Sequence, residues 1–139
     1  MDLPDLAATR ALALRTAAVL PRGQLLIVSG PLGAGKTTFV AALAAALGSD
    51  ADVTSPTYTL VHEYPTPAGP LVHVDAYRLA ASADVAAALD LEAYLDRARA
   101  VVVEWGERLL AAHPEAWHLR LTRDGERRAA HWDPDRGPA

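Results

Sequence analysis

Three glycines and a lysine stand within seven residues in SGPLGAGKTTF, the stretch from Ser29 to Phe39. Before it lies QLLIVSG (24–30), a continuous apolar run that reads as a strand buried on both faces. After it lies KTTFVAALAAALG, which reads as an Ala- and Leu-rich helix stopped by Gly48. A buried strand that turns through glycines straight into a helix directs the chain toward a layered α/β architecture.

Gly30, Gly35, Lys36 and Thr37 match the pattern G-x-x-x-x-G-K-[ST], in the strand–loop–helix setting that pattern requires. Glycines, Gly33 and Gly35 above all, let the backbone curl so that successive N–H groups point inward at phosphate oxygens. The helix that starts near Lys36 adds its positive end to the same spot. The candidate phosphate-binding set is therefore Gly30, Leu32, Gly33, Ala34 and Gly35 with Lys36, Thr37 and Thr38. Thr37 offers a hydroxyl to Mg²⁺, and Lys36 reaches the β- and γ-phosphates. Lys36 is the only lysine of the chain; every other Lys or Arg position is arginine. A compact ammonium on a flexible stem fits a tight backbone cradle where a planar guanidinium does not. The bland alternative is a glycine turn with an incidental lysine.

The rest of the chain alternates in the same manner. Residues 5–20 read as a helix capped by Asp5, with Leu6, Leu14, Ala17 and Ala18 on one face. Residues 58–64 and 71–75 read as a hairpin about TPAG (66–69), with Pro56 at a strand end or in a loop. A helix over 81–98 breaks near Asp90, AVVVEWG (100–106) is a second buried strand, and GERLLAA is a short helix. WHLRLTRDGERRAAHW forms two strands around an Asp-Gly turn, and the tail 133–139 frays. The expected fold is a single three-layer α/β phosphate-loop NTPase domain over 1–139, with a mixed, mainly parallel sheet and a C-terminal β-hairpin.

A phosphate loop needs an acid at the end of a neighbouring strand, to hold Mg²⁺ directly or through water. Asp75 ends LVHVD and Glu104 ends AVVVE. The second run is more purely apolar, so Glu104 is favoured as the metal-side carboxylate, with Asp75 positioning water or sensing the γ-phosphate. For either, the alternative is a surface carboxylate. Ser55 and Thr57 lie where a γ-phosphate contact is common, or are ordinary loop hydroxyls. Arg78 is an internal arginine for transition-state charge or a salt-bridge partner. Trp105 reads first as core. His62 and His73 face each other across the first hairpin, without metal-site spacing.

Composition removes several classes. There is no cysteine, hence no disulfide, thiolate metal site or cysteine nucleophile, which fits a cytoplasmic protein. The N-terminus lacks the cationic region of a signal peptide, and no run approaches the roughly 18 apolar residues of a membrane span. A net charge of −4 argues against gripping nucleic acid by phosphate neutralisation alone. Guanine selection through N-K-x-D is closed, because the chain has no asparagine and its lysine is already spent.

GPLGAGKTTF, VTSPTYTLVHEY, HVDAYRL and VVVEWGERL, in this order and at these distances, resemble the TsaE (formerly YjeE) family of bacterial ATPases. These segments span about residues 24–110. The resemblance implies a compact phosphate-loop domain that binds ATP with Mg²⁺ and hydrolyses it slowly. It implies two partners, TsaD and TsaB, in making threonylcarbamoyladenosine at adenosine 37 of tRNA, reached indirectly through that complex. It also implies that Lys36, Asp75 and Glu104 are catalytic, that Thr37 and Glu104 lie at the metal, and that Trp105 serves at the nucleotide. Gly106 departs from the proline common in relatives, which loosens the chain after Trp105. Arg120, Arg123, Arg127 and Arg128 alternate with acids on the last hairpin and read as a solvated face rather than a partner or tRNA contact. A small-molecule kinase is the competing enzyme, although 139 residues leave little chain for an acceptor subdomain. A non-enzymatic module that holds nucleotide structurally is the third reading.

Overall fold

The computed structural model describes residues 1–51, 61–76 and 90–138. Ser55, Thr57, Arg78 and the first half of the expected 81–98 helix lie outside the described residues.

Helix α1 (Leu6–Val19) starts at Asp5, whose carboxylate accepts from the Ala8 N–H at 2.9 Å. Strand β1 (Gln24–Ser29) leads through the glycine loop into α2 (Lys36–Ala46), which ends at a turn about Gly48. Strands β2 (Val61–Tyr64) and β3 (Leu71–Asp75) form the first hairpin. Asp90 takes a left-handed conformation, φ 51°, immediately ahead of α3 (Leu91–Arg97). Strand β4 (Ala100–Glu104) is followed by a single 3₁₀ turn, Glu107–Leu109, where a short helix was expected. Strands β5 (Trp117–Asp124) and β6 (Arg127–Trp132) close the chain as a hairpin.

The sheet runs β2-β3-β4-β1-β5-β6. The four central strands are parallel and each edge is an antiparallel hairpin, so the sheet is mixed and mainly parallel as expected. The unbroken apolar character of β1 and β4 follows from their central place. Leu26, Val28, Ala100 and Val102 pack on the side of α1 and α2, while Leu25, Ile27, Val101 and Val103 pack on the side of α3. Each of these leucine, isoleucine and valine side chains contributes about 1.5–3 kcal/mol by leaving water.

Two expectations need correction. The buried face of α1 is Thr9, Leu12, Ala13 and Thr16, whereas Leu6 and Leu14 are 47% and 60% exposed. Threonine serves on the buried face because the Thr16 hydroxyl donates to the Leu12 carbonyl at 2.8 Å, leaving its methyl for the core. The tail is also tied down rather than frayed. The Arg136 guanidinium donates to the carbonyls of Leu110, His113 and Ala116 in the irregular segment before β5. His118 N–H donates to the Arg136 carbonyl at 2.8 Å.

Candidate functional site

β1 and β4 lie side by side and parallel, so their C-terminal ends open on one edge of the sheet, where ligands bind in open α/β folds. The loop from β1 to α2 curls over that edge. Gly30, Gly33 and Gly35 take φ of 148°, 79° and 101°, and a side chain at Gly30 would run into the Leu121 carbonyl. A cavity of about 560 Å³ opens there. Leu32 to Thr38 line one wall, Asp75, Glu104 and Trp105 a second, and Leu3, Leu6, Thr9 and Arg128 a third.

Lys36 is buried at the first turn of α2. Its ammonium donates to the carbonyls of Gly30 (2.6 Å) and Pro31 (3.0 Å) and lies 4.2 Å from the centre of the Trp105 ring. Burial holds its pKa below the usual lysine value; Glu104, Glu107 and Asp75 oppose that shift. Thr37 Oγ1 stands 3.4 Å from both carboxylate oxygens of Glu104, which is itself buried. Asp75 lies in register with Glu104 across the β3–β4 pair and also reaches the cavity. Trp105 is half-buried with φ 61°, a left-handed conformation that turns its ring toward Lys36. It lines the cavity and is absent from both apolar cores. Gly106 fits here for a steric reason: a Cβ would meet Val103 Cγ1 at 2.6 Å and Ile27 Cδ1 at 3.2 Å.

The structure thus brings Gly30, Leu32, Gly33, Ala34, Gly35, Lys36, Thr37, Thr38, Asp75, Glu104 and Trp105 to one edge of the sheet. Sequence reasoning left out three groups. Arg128 of β6 donates to the Gly33 carbonyl at 3.1 Å, and the Arg123 guanidinium covers Gly33, so two arginines of the exposed hairpin lie against the loop. Leu3, Leu6 and Thr9 bring the N-terminus to the cavity. His73, fully buried, lies 2.5 Å from Glu104 through Nε2. The facing of His62 and His73 was visible in the hairpin pattern, but the contact with Glu104 depends on β3 pairing with β4, which no local signal announces.

The chemistry of the donors is specific. Hard oxygens (a hydroxyl and a carboxylate) converge next to an ammonium and a curled backbone, which suits a phosphate group with a small divalent cation. Among the described residues no three His, Cys, Asp or Glu groups gather as a metal site of their own, so a cation here needs oxygens from its ligand and from water.

The profile of the family described as Threonylcarbamoyl adenosine biosynthesis protein TsaE matches residues 3–130. A protein of Streptomyces coelicolor named tRNA threonylcarbamoyladenosine biosynthesis protein TsaE is 46% identical over 100 residues, covering 70% of this chain and 67% of the other. Its namesake in Mycobacterium leprae is 41% identical over 136 residues, covering 89% and 83%. The matches span from 49% to 83% of the length of such relatives. The crystal structure of Bacillus subtilis YdiB is similar with a TM-score of 0.72 at 29% identity, over 95% of this chain and 82% of that one. On the family match and on these relatives alike, this chain belongs to the TsaE family.

Proposed function

We propose that this chain binds ATP with Mg²⁺ and hydrolyses it slowly, as the accessory ATPase of a TsaD–TsaB complex that makes threonylcarbamoyladenosine at adenosine 37 of tRNA. The observation that carries the reading is the meeting of the Lys36 ammonium, the Thr37 hydroxyl and the Glu104 carboxylate under a glycine loop. Thr37 and Glu104 are the residues to hold Mg²⁺, which supplies charge neutralisation for the leaving and transferring phosphate oxygens. Free backbone N–H groups of the glycine loop and the first turn of α2 bind the phosphates, and Thr38 extends that turn. Lys36 gives up its carbonyl partners and turns its ammonium to the β- and γ-phosphates. Asp75, beside Glu104, orients the attacking water. Trp105 holds Lys36 in place through its ring face and bounds the nucleotide cavity. Transfer of the threonylcarbamoyl group is left to the partners, and tRNA is met only through them. The cytoplasm is the compartment for such a role, and no helix among the described residues is long and apolar enough to cross a membrane.

Phosphate release and tRNA modification, measured with the protein alone and with TsaD and TsaB, test the reading together. Partners should raise ATP turnover, and multiple-turnover modification should require the protein. Lys36→Ala should abolish both activities, and Lys36→Arg should be nearly as damaging. Full modification with Lys36→Ala would sink the proposal, and phosphate transfer to a small acceptor would replace it with a kinase.

A further inference from the structure

We propose that His73 is a positioning residue for Glu104: it fixes which way the carboxylate points and so presents it to the cation beside Thr37. The proposal rests on the reading of Glu104 as the Mg²⁺-side carboxylate. His73 lies on β3, a strand paired on both sides, opposite His62 of β2 and in register with Val102 of β4. Its side chain is wholly buried and its ring lies 6.1 Å from that of Tyr64. Nε2 is 2.5 Å from Glu104 Oε2, while Nδ1, also buried, has no hydrogen-bond partner among the described residues.

The two nitrogens are not equivalent. An N–H buried without an acceptor forfeits its hydrogen bond to water, so the ring hydrogen belongs on Nε2, where it is donated to Oε2. Glu104 needs such an anchor. It sits at the end of β4, just before the left-handed Trp105, and its side chain has three torsions to fix. With Oε2 held from below by a strand residue, both oxygens stand 3.4 Å from the Thr37 hydroxyl. Groups that orient a metal-side ligand in this manner influence affinity about 10–100-fold without touching the metal.

The test compares His73→Leu, which removes the donor, with His73→Gln, whose amide nitrogen reaches the position of Nε2. Binding of a non-hydrolysable ATP analogue is measured by titration calorimetry with Mg²⁺ and with chelator. In the Leu variant the gain from Mg²⁺ should fall about 10-fold or more, with chelator affinity within about twofold, and Gln should restore most of it. Where Leu does not fold, Asn, whose amide falls short of Oε2, takes its place. An unchanged Mg²⁺ gain, equal losses with and without Mg²⁺, or a Gln variant no better than Leu overturns the proposal. Nitrogen-15 NMR of the imidazole, recorded without nucleotide or metal, should show the hydrogen on Nε2 and a shift of that signal in Glu104→Gln. A hydrogen on Nδ1 overturns the proposal by itself. If the unaltered protein gains nothing from Mg²⁺, the metal-side reading of Glu104 fails, and the NMR arm still decides the pairing.

Discussion

Of the three buried histidines held to a carboxylate, His73 and His118 lie on opposite sides of β1, and His113 pairs with the exposed Glu115. On the β5 side, His118 Nδ1 donates to Asp133, its Nε2 accepts from the Ser29 hydroxyl at 2.7 Å, and the second Asp133 oxygen accepts from Arg120 at 2.9 Å. Those side-chain contacts form a closed chain that fastens the tail to the foot of the glycine loop. On the β3 side, His73 has one nitrogen without a partner among the described residues, and the carboxylate it holds opens on a cavity beside Thr37. The same pair of functional groups serves stability where its bonds close on the protein. On the function proposed above, it serves a ligand where they are left open.

The largest way to break this contrast is to remove each acid in turn. Glu104→Ala should lower Mg²⁺-dependent ATP turnover about 100-fold or more, since on the proposed reading it removes the carboxylate that holds Mg²⁺ at the reacting phosphates. Asp133→Ala should leave turnover at 25 °C within about threefold. It should instead cost about 1.5–3 kcal/mol, because two hydrogen bonds to charged or polarised partners are lost. For a chain of this size that lowers the melting temperature by about 5–10 °C. Phosphate-release assays and thermal melts of both variants decide the matter. A turnover loss in Asp133→Ala as large as in Glu104→Ala would erase the distinction.

A smaller effect sharpens it. An open site keeps groups that the folded protein alone would not choose. Lys36 is such a group, since burial lowers its pKa. Between that lowered value and 10.5 the unfolded chain binds more protons than the folded one, so stability rises with pH across that window. Below it, the charged amine is a cost to the folded state. Lys36→Met should therefore raise the melting temperature of the ligand-free protein at neutral pH by about 2–5 °C while nucleotide binding is lost. The gain should shrink as pH rises toward the ordinary lysine value. Melts across a pH series, with binding measured alongside, check both halves; a Met variant less stable at neutral pH contradicts them.

What the sequence made readable follows the range of the forces involved. The glycine loop, β1, α2, β4 and the last hairpin each carry their instruction within a dozen residues, as apolar runs, turn residues or caps. The loop residues and both strand-end acids could be placed for the same reason, because they follow directly from those strands. The facing residues of α1 were misjudged because hydropathy ranks Leu14 above Thr16, and only the internal Thr16–Leu12 hydrogen bond makes threonine acceptable inside. The tail was misjudged because its anchor, Arg136, bonds to carbonyls 20 to 26 residues away. His73 went without a role because its partner Glu104 is 31 residues distant and is met only through strand order. Arg123 and Arg128 were readable as exposed, but their contact with Gly33 depends on β5 lying next to β1.

An acid–base pair with both partners half exposed sets the lower end of the scale. Arg97 of α3 donates to Glu63 of β2 at 2.6 Å, with both side chains about half exposed. The hydrogen bond from Arg97 holds the Glu63 carboxyl below its usual value, against a small opposing effect of burial. A depressed carboxylate contributes stability above the unfolded value of 4.5 and loses it as pH falls through the folded one. Water competes for both partners, so the contribution is small. Glu63→Gln removes the charge while leaving Arg97 stacked on Tyr94, whose ring centre is 5.0 Å away. That variant should melt within about 1 °C of the unaltered protein at pH 7, with the difference fading in acid and ATP turnover unchanged. Melts at pH 7 and in acid give the answer. A shift as large as that of Asp133→Ala would mean that closure of the bonds, rather than burial, is what makes the His118 set stabilising.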